Sequence, residues 1–125
     1  MPTYGVLQAG GVLTALSPGD SMLLWNAESP AAAASSVAFT RATGISQSDQ
    51  GMTFTAHSPV AATVNIQASN EDVDGQYQTL YTLVLALAGG VNPQYAGSYT
   101  DTTRFKFYRA NLVSGVGPVT VEVQR

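Results

Sequence analysis

The chain has no cysteine, a single histidine and few charges. Five Lys or Arg and eight Asp or Glu are spread over 125 residues, where an ordinary soluble domain is about a quarter charged. Without cysteine there is no disulfide framework, no thiolate metal site and no thiol nucleophile. One histidine, His57, rules out a two-histidine metal site. A net charge of −3 and a pI near 4.7 argue against a phosphate-binding surface, so no nucleic-acid partner is expected. The longest compact apolar run, 81–91, is too short to cross a bilayer as a helix, which takes about 20 residues, and no membrane partner is expected. The first 19 residues hold no Lys or Arg, so the basic region of a signal peptide is missing there.

Chemistry-bearing patterns are equally scarce. There is no G-x-S-x-G, P-loop or dinucleotide fingerprint. The segment Asn70–Gly75 (NEDVDG) imitates the start of a calcium loop, but its twelfth position would be Tyr81, where a bidentate Glu is required. A hairpin turn closed by Asp74-Gly75 is the better reading. Asp49 and Asp101 fall in expected loops and have no evident carboxylate partner. Neither an enzyme nor a bound cofactor is expected.

What the chain does have is alternation. Ala62, Val64, Ile66 and Ala68 share one face of a strand, with Thr63, Asn65 and Gln67 on the other. Met52, Phe54 and Ala56 alternate with Thr53, Thr55 and His57, which turns His57 toward solvent or an interface. Val37 and Phe39 share a face, and Val119, Val121 and Val123 make the last strand. Ser21–Trp25 (SMLLW) reads as a short buried strand. The stretch 76–88 reads as a strand returning from the hairpin, with Tyr81, Leu83, Leu85 and Leu87 on one face. Residues 89–103 read as a long loop. In 103–113, Phe105 and Phe107 share a face, but Ala110 and Leu112 have the opposite parity, so a β-bulge is expected near Tyr108-Arg109.

Eight or nine short strands at roughly ten-residue spacing, with no helix, predict one all-β domain over residues 1–125. The expected architecture is an antiparallel, jelly-roll-like β-sandwich of about eight strands. Residues 1–19, uncharged and interrupted by Gly10-Gly11, suit an extended N-terminal arm or an edge strand.

Residues 60–125 carry a resemblance. The alternating strand VAATVNIQAS, the acidic hairpin NEDVDGQYQTL and the aromatic–basic run TRFKFYRANLVSGVGPVTVEVQR are similar to small β-sandwich virion proteins of tailed bacteriophages. Among these the chain looks most like capsid decoration (cement) proteins. The resemblance implies a protein made in the host cytoplasm and carried on the capsid surface of the virion. Its partners would be the major capsid protein and copies of itself, as a dimer or trimer. A tail or head–tail joining subunit is an alternative within the same class.

Composition agrees with a covered surface. Charge is absent from residues 1–19 and from 75–100, and 24 residues are Ser or Thr. Such surface is inexpensive to desolvate compared with charge. The bare stretches mark Tyr4, Val6, Leu7, Val12, Leu13, Tyr95 and Tyr99 as interface candidates. The competing reading is a carbohydrate-binding sandwich or receptor-binding tip, similar to discoidin-type modules, with Trp25, Tyr95 or Tyr99 as exposed stacking rings.

Overall fold

The computed structural model describes residues 15–16, 21–31, 33–36, 38–41, 51–88 and 94–125. Ten strands are described: β1 (Ala15–Leu16), β2 (Ser21–Glu28), β3 (Phe39–Arg41), β4 (Met52–Ser58), β5 (Ala62–Ser69), β6 (Gln78–Val84), β7 (Ala86–Ala88), β8 (Gln94–Asp101), β9 (Phe107–Gly115) and β10 (Val119–Gln124). One 3-10 turn, Asp74–Gln76, lies between β5 and β6. The strands form two five-stranded sheets, in the orders β1-β3-β9-β5-β6 and β2-β10-β4-β8-β7. Every pairing is antiparallel except β1 with β3. The chain is an all-β sandwich.

The alternating segments form its facing inner rows. Phe54 and Ala56 of β4, Val64 and Ile66 of β5, and Val119, Val121 and Val123 of β10 are all fully buried. Phe39, Phe54 and Tyr108 meet between the sheets with ring centroids 5.7–6.2 Å apart. Burying a side chain of this size is worth roughly 1.5–3 kcal/mol relative to leaving it exposed.

Ser21–Trp25 is buried almost throughout although it lies on an edge strand, and bulges explain how. Val121 pairs with Trp25 and Glu122 with Leu23, so Leu24 is an extra residue; Asn26 and Ala27 together face Thr120. The first bulge lets consecutive Leu24 and Trp25 both turn inward.

The stretch 76–88 is extended, as its parity predicts, but it is shared between the sheets. β6 pairs with β5, the chain crosses at Leu85, and β7 pairs with β8. Leu83 and Leu85 are buried at this crossing.

The expected loop at 89–103 gives way to β8, which pairs with β4 over seven residues from Met52↔Asp101 to Ser58↔Tyr95. Its inner row is Tyr95, Gly97, Tyr99 and Asp101. A glycine and an aspartate in that row conceal the apolar alternation. Gly97 makes room there: a β-carbon would lie tightly, 3.2 Å from a Leu85 methyl and 3.4 Å from a Leu83 methyl.

The expected bulge near Tyr108-Arg109 is displaced. Thr63 pairs with Ser114 and Val64 with Leu112, so the extra residue of β9 is Val113. The parity change falls before the strand begins, at a bend on Lys106. Tyr108, Ala110 and Leu112 therefore face the core, Phe105 packs against it from the preceding loop, and Phe107 belongs to the opposite row.

Candidate interaction surfaces

The registers place both ends of the sandwich. Met52, Ser69, Gln78, Asp101, Phe107 and Gln124 lie toward one end; Ser58, Ala62, Val84, Gln94, Gly115 and Val119 lie toward the other. Charge is segregated between them. Arg41, Glu71, Asp72, Asp74, Asp101, Arg104, Lys106 and Arg125 all belong to the first end. At the opposite end the turns 59–61 and 114–118 and the β6–β7 crossing are uncharged, and Glu28, paired with Val119, is the one described charge there. Val116, Val84 and Leu87 are exposed there, at 93%, 70% and 60%.

The charged end is tied together from within. Asp101 closes β8 and is fully buried. Its carboxylate accepts from the Thr103 hydroxyl at 2.7 Å, the Tyr108 hydroxyl at 2.9 Å and the Tyr99 hydroxyl at 3.1 Å. Tyr108 also accepts from the Phe105 N–H at 3.1 Å. Burial, followed by the nearby charges of Arg125 and Arg104, lowers the Arg41 pKa from its ordinary value. Arg125 donates to the Leu16 carbonyl and so fastens β1 to the C-terminal strand.

The acidic hairpin is also internally committed. Arg109 donates to Asp74 at 2.6 Å and to Gln67 at 2.9 Å, and its guanidinium lies 3.9 Å from the Tyr77 ring centre. Tyr77 donates to Asp72 at 2.7 Å. Burial, then this bond to Asp72, pushes the Tyr77 phenol above its ordinary pKa. Among the described residues no three or more His, Asp or Glu side chains gather as a metal site.

Of the sequence-derived candidates, Tyr4, Val6, Leu7, Val12 and Leu13 lie outside the described residues. Tyr95 and Tyr99 share the inner row of β8 and pack partly against the core. Tyr99 stacks on Tyr81 with ring centres 4.8 Å apart and planes 4° from parallel. This pair joins the two sheets at the β6–β8 side, where Tyr81 remains half exposed. Trp25 is 4% exposed and packs in the core, so it is no surface ring. Its burial follows from the β2 bulge, which alternation alone does not reveal.

The outer faces differ in how far they satisfy themselves. On the β5-β6-β9 face, Thr82 donates to Asn65, Gln67 donates to Thr79 and Arg109 donates to Gln67. The β4-β8-β10 face presents Thr53, Thr55, His57, Ser98, Thr100, Thr120 and Glu122. Here Thr53 and Thr100 share a hydrogen bond of 3.0 Å. Beside the β2 bulge this face carries a notch of about 290 Å³, lined by Leu23, Asn26, Thr55, His57, Thr120 and Glu122. Sequence parity places His57 outward but offers no sign that Asn26 joins it, because the bulge sets that register.

No protein family, no curated protein and no solved structure matches the chain.

Proposed function

We propose that the chain is a non-catalytic assembly subunit: a phage capsid decoration protein that binds the outer shell and stabilises contacts between neighbouring capsomers. The observation that carries this reading is the segregation of charge, which leaves an apolar end bearing Val84, Leu87 and Val116, with Glu28 its one described charge. Burying Val84, Leu87 and Val116 against a shell removes apolar area from water, with the Glu28 carboxylate as the one described charge close enough to be desolvated. A subunit that binds only the assembled shell stabilises it by mass action.

Strand order supports the jelly-roll form of the sandwich. With the short β1 and β7 set aside, eight strands remain. Counted along the chain, the first, eighth, third and sixth make one sheet, and the second, seventh, fourth and fifth make the other. Jelly rolls of this size serve as viral capsid and lectin domains.

The test is co-sedimentation of the purified chain with expanded, genome-free shells of the encoding phage. Saturable binding is expected, weakened about tenfold or more by Val116→Asp with Leu87→Asp. A chain that stays in the supernatant at every concentration refutes the reading, and closed rings formed without shells favour a tail or head–tail subunit.

A further inference from the structure

We infer that the notch between β2, β10 and β4 is a binding site for a neutral sugar ring. Its groups come from three strands. β2 supplies Leu23 and Asn26, β10 supplies Thr120 and Glu122, and β4 supplies Thr55 and His57. The registers arrange them: Glu122 lies between Leu23 and Thr55, and Thr120 lies beside His57. His57 and Glu122 therefore sit on a diagonal of the ladder, where residues are about 7–8 Å apart and their β-carbons somewhat closer, within reach of one ligand. The notch volume of about 290 Å³ is what gives a small ring access to both the imidazole and the carboxylate.

The lining selects the ligand class. Glu122 accepts hydrogen bonds, Asn26 and His57 both donate and accept, and Thr55 does either through one hydroxyl. The Thr120 hydroxyl oxygen already accepts from the Ala27 N–H at 3.0 Å, which leaves its proton to donate. Leu23 supplies an apolar contact for ring C–H groups. Vicinal hydroxyls, each donor and acceptor, match this mixture. A phosphate or sulfate does not, because no Lys or Arg lines the notch and Glu122 would repel it. An apolar ligand would leave the carboxylate and amide unpaired. At about 290 Å³ the notch falls at the lower limit of drug-sized pockets, in keeping with one small ring.

The backbone contributes to the same place. Ala27 has φ of 53°, left-handed for a residue with a β-carbon, and its N–H bond to Thr120 helps hold it there. The bulge so held sets Asn26 and Ala27 together against Thr120 at the notch, and the separate Leu24 bulge lies between Asn26 and Leu23.

His57 is the chain's single histidine, so its ring protons give an unobstructed NMR signal. The intact protein is titrated with glucose, galactose, mannose and N-acetylglucosamine, and separately with inorganic phosphate. At least one sugar at millimolar concentration is expected to shift the His57 signals and to show saturation transfer. Glu122→Gln should weaken that binding about tenfold, as expected for loss of a hydrogen bond to a charged group, while Thr100→Val on the same face leaves it unchanged. Thermal melts of both variants establish that they remain folded. Shifts with phosphate alone, no response to any sugar, or binding that survives both Glu122→Gln and His57→Ala would overturn the inference. Shell binding without a sugar response removes this inference and leaves the assembly reading intact.

Discussion

The Tyr108 hydroxyl lies 2.9 Å from the Asp101 carboxylate, and both residues are fully buried although they belong to opposite sheets. The same hydroxyl is 3.0 Å from the Thr103 carbonyl, so one proton serves two acceptors. This pair fastens the β8–β9 connection across the charged end. Tyr108→Phe should lower stability by about 1–3 kcal/mol, because it leaves a buried carboxylate and the Phe105 N–H short of a partner. Urea denaturation measures the change. A double-mutant cycle with Asp101→Asn should show coupling, since the two groups touch; strictly additive losses would contradict the bond.

Phe107 and Phe54 should respond differently to truncation. Phe54 is fully buried between the sheets, and Phe54→Ala is expected to cost about 3–5 kcal/mol. Phe107 lies on the row opposite Tyr108, outside the core cluster and beside Lys106. Phe107→Ala should cost about half as much or less, because Phe107, though buried, is not part of the cluster packed between the sheets. Equal losses in chemical denaturation would place Phe107 in the core after all.

Gly51 has φ of 102°, and a β-carbon there would lie 2.3 Å from the Asp101 carbonyl oxygen. Backbone cannot yield as a side-chain tip can. Gly51→Ala should therefore destabilise the fold by roughly 2 kcal/mol or more, combining a strained left-handed residue with a steric clash. A melting temperature equal to that of the unsubstituted chain would refute the close approach.

Alkaline pH should unfold the protein through its tyrosines. Burial, followed by the bond to Asp101, pushes the Tyr99 phenol up to about 12, and burial also raises Tyr108. Unfolded tyrosine titrates at about 10. The folded state thus holds these protons more tightly, so their stabilisation is complete below about pH 10 and is lost as pH rises toward the folded value. Absorbance at 295 nm should show part of the six tyrosines ionising late and together with loss of circular dichroism. Six phenols titrating alike near pH 10 in a folded chain would contradict this.

Arg109 should not be replaceable by lysine. Its planar guanidinium stacks on Tyr77 while donating to Gln67 and Asp74, a geometry an ammonium cannot reproduce. Arg109→Lys is expected to speed hydrogen exchange across residues 70–77 and to cost about 1 kcal/mol. Unchanged exchange in that hairpin would mean that Arg109 does not order it.

The sequence alone determined the class of fold, because strands buried on one side must alternate. Ala62–Ala68, Met52–Ala56 and Val119–Val123 all carry that period, and the inner rows follow it. It also showed where charge is missing along the chain. The tertiary structure decided what alternation cannot encode. β8 was hidden because its inner row includes Gly97, which makes room for two leucines, and Asp101, a charged residue whose burial is made possible by the hydroxyls of Tyr99, Thr103 and Tyr108. Trp25 went to the core and Asn26 to a notch because bulges in β2 reset the register. Charge that is merely sparse in one dimension became segregated in three, since antiparallel pairing gathers hairpin, loop and C-terminal charges at one end. Non-local pairing brings such residues together, and local periodicity carries no record of it.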